Sequence, residues 1–154
     1  MLHETPPQRD ERFMRQAIAE AIQAAQEGEI PIGAVITHND TIIARAHNLT
    51  ERLRDVTAHA EMQAITSAAT HLGGKYLTDC TLYVTVEPCP MCAGALGWSQ
   101  IPRIVYGTPD PRRGYTTLLT PGAGTPLHPR TSVTTGILAE ECRNILQNFF
   151  SARR

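Results

Sequence analysis

The chain carries no excess of charge of either sign: 14 Lys and Arg stand against 15 Asp and Glu, a formal net charge of −1 over 154 residues. So even a balance gives no overall electrostatic signature of a nucleic-acid binder, and only a local basic surface can serve that purpose. No segment approaches the roughly 18 consecutive apolar residues of a membrane-spanning helix, so no membrane association is expected. The charged, proline-containing start, MLHETPPQRDER, has no apolar core of a secretory leader. These absences lead to the expectation of a soluble, cytoplasmic protein. Cysteine is also scarce, with four residues. Two of them, Cys89 and Cys92, stand two residues apart, which reads as metal or redox chemistry on reduced thiols and not as a disulfide framework. At 154 residues and 42% hydrophobic the chain supports one core and is too short for two ordinary domains. A single domain over residues 1–154 is expected, with 1–9 flexible.

Residues 10–27 place Phe13, Ala17, Ile18, Ala21, Ile22 and Ala25 on one face at helical spacing, with Gly28 as the stop. Two β-prone runs, 32–37 and 41–46, are joined through His38, Asn39 and Asp40 in the manner of a hairpin, and Asn48 follows the second. After a polar stretch, 49–56, a second helix is expected over 58–72, with His59 and Glu61 in its first turn and Gly73 and Gly74 at its end. Residues 81–87 alternate as a strand, and Pro88 then opens a helix running to about Ser99. A strand over 104–107 precedes a long Pro-, Gly- and Thr-rich surface loop, 108–129. A short β-prone run, 132–134, and a helix over 137–150, with Leu138, Cys142, Ile145, Leu146 and Phe149 inward, complete the chain. Strands alternating with helices argue for a three-layer α/β/α sandwich around a mixed sheet of about five strands, whose first pair is antiparallel.

Chemistry concentrates in two short runs, His59-Ala60-Glu61 and Pro88-Cys89-Pro90-Met91-Cys92. Cysteines three apart on a helix share a face, and the positive end of a helix favours the thiolates that zinc requires. His59 completes a set of three ligands. On a tetrahedral ion three protein ligands leave one position open to water, which marks catalysis, whereas a structural zinc is normally closed by a fourth Cys or His. Zinc lowers the pKa of water to near neutrality, and Glu61 is the natural carboxylate to take and pass on the proton. Residues two apart, such as His59 and Glu61, point to opposite sides of an ideal helix, so both reach one site only if it sits end-on at the first turn. A closed structural site using Cys80 or Cys142 is the bland alternative, although both fit better as ordinary buried thiols.

HxE followed by PCxxC is the known signature of zinc-dependent nucleobase deaminases, and the mechanism is taken over from them. At these residues the chain resembles the cytidine deaminase-like superfamily. Over almost its whole length it is similar to the bacterial tRNA adenosine deaminases, which form inosine at the wobble position of an anticodon. The runs that carry the likeness are GEIPIGAVI at 28–36, Asn48, TAHAEMQAI at 57–65, TLYVTVEPCPMCAGAL at 81–96, YGTPD at 106–110 and GILAEEC at 136–142. The resemblance implies zinc, an anticodon stem-loop as partner and a homodimer, for which Trp98 and the long loop are the candidate surfaces. It implies that Asn48 hydrogen-bonds a flipped base, that Ala58 contributes a backbone contact and that Asp110 touches the sugar or backbone. Arg112, Arg113 and the terminal pair Arg153 and Arg154 would meet phosphates. Each has a plainer reading: Asn48 as a turn residue, Asp110 as a loop initiator before Pro111, the arginines as solvated charge and Trp98 as core.

One departure stands out. After YGTPD the family continues with a lysine and a small Gly-Ala-Gly-Ser type stretch, whereas this chain reads PRRGYTTLLTPGAG, with Tyr115, Thr116 and Thr117 in place of small residues. The altered loop and near-neutral charge favour a second enzyme reading, deamination of free guanine, cytosine or a nucleoside. Asn48, GILAEEC and the terminal arginines oppose it. A third reading, a zinc-stabilised module that merely holds RNA, gives Glu61 no purpose.

Overall fold

The computed structural model describes residues 3–119 and 124–153. Helix α1 (Pro6–Gln26) starts ahead of the expected Asp10, because Thr5 and Gln8 close a capping box and Pro6 takes the first helical position. Residues 6–9, expected to be flexible, are thus its first turn. Its buried stripe is Phe13, Met14, Ala17, Ile18, Ala21 and Ala24. Ile22 and Ala25, expected on that face, are rotated off it and border a surface cleft with Ile145 and Phe149 instead. The rotation follows from how closely α1 lies on the sheet: a Cβ on Gly33 would collide with the backbone of Ala17 and Ala21.

Strands β1 (Gly33–His38) and β2 (Thr41–His47) form the expected antiparallel hairpin. Asn39 and Asp40 turn it with φ of 51° and 58°, the left-handed pair that suits right-twisted strands. A short helix, α2 (Thr50–Leu53), occupies the polar stretch, and α3 (Ala60–Leu72) follows. Then come β3 (Cys80–Val86), α4 (Pro90–Ser99), β4 (Arg103–Thr108), a one-turn helix α5 (Tyr115–Leu118) inside the long loop, β5 (Ser132–Thr135) and α6 (Ala139–Ser151). The sheet order is β2-β1-β3-β4-β5, with β1 antiparallel to both neighbours and β3, β4 and β5 parallel. Four strands therefore run one way and β1 alone runs against them.

Alternation along the central strands creates two cores. Ala34, Ile36, Leu82, Val84, Ile104 and Tyr106 face one side, where Ala60, Ala64 and Ala68 of α3 and Ala93 and Leu96 of α4 cover them. Val35, Tyr83 and Val105 face the other, under Phe13, Met14 and Ala17 of α1 and Cys142 of α6. This is the three-layer α/β/α sandwich around a five-stranded mixed sheet. Of the inward residues expected on α6, Cys142 and Phe149 are buried, while Leu138, Ile145 and Leu146 are half-buried.

On the α1 face sits a polar network that periodicity does not announce. Asp10, 4% exposed, accepts from both Arg103 Nη1 and Nη2 at 2.7 Å and from Tyr83 Oη at 2.9 Å, while Arg103 Nη2 also donates to Thr134 Oγ1 at 3.2 Å. Burial raises the Asp10 carboxyl, but hydrogen bonds from Arg103 and Tyr83 and the Arg103 charge outweigh it and hold the group below its ordinary value. Among the described residues no helix is long and apolar enough to cross a membrane.

Candidate metal and active site

Because β2, β3 and β4 share a direction, their carboxyl ends open on the same edge of the sheet, the usual place for a site in an α/β fold. That edge receives Asn48 after β2, the run 87–89 after β3 and Pro109 and Asp110 after β4. Helices α3 and α4 start from it.

Neither metal-capable N-terminal residue lies within its helix. His59 is the N-cap of α3, with extended φ −71° and ψ 156°, and Cys89 is the N-cap of α4, with φ −72° and ψ 168°. The first helical position of α4 belongs to Pro90 and not to the expected Pro88. An extended cap explains how His59 and Glu61 serve one place: helical rotation starts at Ala60, so only Glu61 obeys it. Each cap carbonyl begins its helix, His59 O accepting from Gln63 N at 3.1 Å and Cys89 O from Ala93 N at 2.8 Å.

His59 Nδ1 lies 3.6 Å from Cys89 Sγ and 3.5 Å from Cys92 Sγ, and the three ligand atoms fall within 4.8 Å of one another. Zinc bonded at about 2.3 Å to sulfur and 2.0–2.1 Å to nitrogen, at tetrahedral angles, separates such atoms by about 3.6 Å. The donor set and its spacing therefore fit zinc. No other His, Cys, Asp or Glu among the described residues joins the group. Cys80 and Cys142 are buried in the two opposite cores, which removes the closed four-ligand alternative.

The two thiols differ. Hydrogen bonding from Cys92 and, against burial, from His59 draws Cys89 down to about 4, whereas Cys92, holding the proton of the pair and more deeply enclosed, is raised. Glu61 is 4% exposed, and burial pushes its carboxyl up to about 7. A carboxyl of that value both accepts and donates a proton near neutral pH.

Around this centre Asn48 is buried at 6% exposure, and its Oδ1 accepts from Thr50 N at 3.2 Å, leaving its NH₂ as the free half of the amide. Ala58 is buried; its carbonyl accepts from Leu49 N at 3.0 Å and its N–H donates to Asp55 O at 3.1 Å, so a further contact would use the second carbonyl lone pair. Asp110 Oδ1 accepts from the N–H groups of Arg112 and Arg113, both at 3.0 Å. That is the loop-initiating role, with the second carboxylate oxygen left over. Arg112 and Arg113 are exposed. Arg153 stacks 3.7 Å above Phe149 and reaches Gly28 O at 3.5 Å, so it is tied to the fold, and Arg154 lies outside the described residues. Trp98 is 86% exposed, which excludes its reading as core.

Sequence reasoning missed two buried carboxylates beside the site. Glu29, 1% exposed, accepts from the N–H groups of Glu51 and Arg52 at 3.0 and 2.9 Å, fixing α2 just after Asn48. Glu87, 4% exposed, accepts from Asp110 N at 3.1 Å, Thr116 N at 3.0 Å and Thr116 Oγ1 at 2.6 Å. Their one sequence signal was position: an acidic residue at each end of an otherwise apolar strand context.

Comparison with known proteins places the chain among deaminases. Residues 7–108 match the family described as "Cytidine and deoxycytidylate deaminase zinc-binding region". The tRNA-specific adenosine deaminase of Bacillus subtilis is 46% identical over 94% of this chain and 91% of its own length. The chloroplastic tRNA(adenine(34)) deaminase of Arabidopsis thaliana is 43% identical over 94% of this chain, which spans 12% of that longer protein. A solved structure described under "A-to-I Editing by tRNA:A34 Deaminases at the Wobble Position of Transfer RNA" superposes with a TM-score of 0.80 at 39% identity, covering 88% of this chain and 99% of that one.

Proposed function

The chain belongs to the cytidine and deoxycytidylate deaminase zinc-binding family, and from that premise we propose that it hydrolyses adenosine to inosine at the wobble position of a tRNA anticodon. The observation that carries the chemistry is a three-ligand group with the spacing of an open zinc site beside a buried, proton-poised carboxylate. The substrate is supported by near full-length similarity to tRNA-specific adenosine deaminases.

In this reading His59, Cys89 and Cys92 hold zinc. Zinc, when bound, acts as a Lewis acid and acidifies water at the open position. Glu61 would take one proton from the attacking water and give it to the ring nitrogen next to the amino-bearing carbon, then carry the remaining proton of the added hydroxyl to the departing amine, so that adenine and water become hypoxanthine and ammonia. Its enclosure serves both halves, because a carboxyl near 7 is a usable base and a usable acid in one cycle. The free NH₂ of Asn48 and the backbone at Ala58 hold the flipped base, and Asp110 meets the sugar or backbone. Arg112 and Arg113 meet phosphates, while Arg153 and Arg154 remain the weaker candidates, since Arg153 already packs on Phe149.

A second copy of the chain is the occupant we propose for the surface cleft where the exposed Trp98 and Tyr76 meet Ile65 and Ala95. Trp98→Arg should then convert a sedimenting dimer into a monomer, and a wild-type monomer would refute the pairing. Location in the cytoplasm is part of the same proposal and is supported by the likeness to bacterial tRNA-specific adenosine deaminases.

The deciding experiment incubates zinc-loaded protein with anticodon stem-loop RNAs and, separately, with free bases and nucleosides, scoring products by mass spectrometry. Inosine in an adenosine-containing anticodon loop is expected. Turnover confined to a free base or nucleoside would refute the RNA reading and leave the zinc chemistry in place.

A further inference from the structure

Glu87 lies between the last residue of β3 and the Pro88-Cys89 dipeptide. A buried carboxylate is costly unless it is fully bonded, so its partners are informative. Every donor it receives comes from one segment: Oε1 accepts from Asp110 N, and Oε2 accepts from Thr116 N and from the Thr116 hydroxyl. The next carbonyl along, Pro88 O, accepts from Tyr115 N at 2.9 Å. Gly114 completes the fit, because a Cβ there would collide with the Glu87 carboxylate and with Asp110 O.

The segment is thus pinned at 110, 115 and 116 to the two residues preceding a metal-capable cysteine. Between the pins, 111–113 arches outward, with Arg112 and Arg113 exposed and their amides gathered by Asp110 Oδ1. Tyr115 is buried in the same core cluster as Ala60, the first residue of α3, and Ala93, in the first turn of α4. The residues that depart from the family's small-residue loop, Tyr115 and Thr116, are therefore the ones that fasten it. The geometry points to Glu87 as a positioning residue that fastens the loop carrying Arg112 and Arg113 to the segment leading into Cys89, for the phosphates of an RNA substrate. This rests on the RNA reading above. Glu87 touches no reacting atom; it acts through the loop.

The test compares wild type, Glu87→Gln and Thr116→Val for kcat and KM on an anticodon stem-loop RNA, for zinc content, and for hydrogen exchange over 109–119. Loss of one charge-assisted bond corresponds to about a tenfold change. Glu87→Gln is expected to raise KM about tenfold with kcat within about twofold, zinc unchanged and faster exchange at 110–116. Thr116→Val, at an exposed position, should move KM and exchange the same way to a smaller extent and decides the matter if Glu87→Gln fails to fold. Wild-type KM and wild-type exchange in the variants, or a fall in kcat at constant KM, would overturn the positioning role. If wild type makes no inosine in RNA, the RNA reading and the role of the arginines fall with it. The exchange data then still report whether Glu87 holds the loop.

Discussion

Replacing Arg103 by Met should separate stability from chemistry. Arg103 supplies two of the three hydrogen bonds to the Asp10 carboxylate, whose side chain is 6% exposed against 29% for the arginine. The substitution fills similar volume but leaves a buried carboxylate with Tyr83 Oη alone. Breaking a buried pair from one side costs about 3–5 kcal/mol, and partial exposure of Arg103 argues for the lower end, about 3 kcal/mol. At this chain length that corresponds to a fall in Tm of roughly 6–12 °C. The sign with pH is fixed: the Asp10 carboxyl sits below its ordinary 3.8, so its contribution is complete above that value and is lost as pH falls through the lower folded value. The deficit of the variant should therefore be largest near neutrality and shrink toward pH 3, where the stranded carboxyl is protonated. Urea unfolding at several pH values reads this directly, and deaminase assays on the folded variant should show an unchanged kcat, since the network lies on the α1 face of the sheet. A deficit under about 1 kcal/mol, or one that grows on acidification, would refute the reasoning.

Glu61→Gln should keep its zinc by metal analysis while kcat falls by roughly 10²–10⁴-fold, the usual worth of a general acid–base; retention of full activity would exclude the proton-transfer role. Removal of zinc by a chelator should abolish deamination, with activity returning on zinc addition; activity that survives complete removal would argue against metal chemistry. His47 faces Glu20 at 3.0 Å and Glu27 at 2.8 Å, and these bonds outweigh burial and raise it above 6.5. Its contribution is thus complete below about pH 6.5 and lost as pH rises through the folded value, so the stability of wild type relative to His47→Gln should decline across that range; parallel profiles would contradict this. Gly33→Ala drives a Cβ into the α1 backbone and should destabilise by about 1–3 kcal/mol or more in thermal melts, and a neutral result would show that α1 shifts freely.

How far the sequence could be read depended on the range of the interaction. HxE and PCxxC are short linear patterns, and the β1–β2 turn at Asn39 and Asp40 is fixed by local backbone preference, so these were legible. The helix starts were less so, because Thr5, His59 and Cys89 act as caps by adopting extended backbone, which leaves no periodic trace. Ile22 and Ala25 looked inward by spacing alone, but the stripe that is buried was decided by how closely α1 approaches Gly33. Asp10, Glu29 and Glu87 carry no linear pattern that marks them as buried. Their partners, such as Tyr83 for Asp10 and Thr116 for Glu87, come from distant segments that only the fold brings together.

Helices α3 and α4 begin at side chains 3.6 Å apart, so two positive macrodipole ends share one small space. Like poles so placed repel, and each end gains about 0.3–1 kcal/mol from a neighbouring anion. Cys89, drawn down toward its thiolate, is thus a counter-ion for the architecture as well as a metal-capable group, and its charge favours the convergence of the two helix ends. Replacing Cys89 by a residue that cannot carry charge would remove a ligand and, in the same stroke, set the two helix ends against each other.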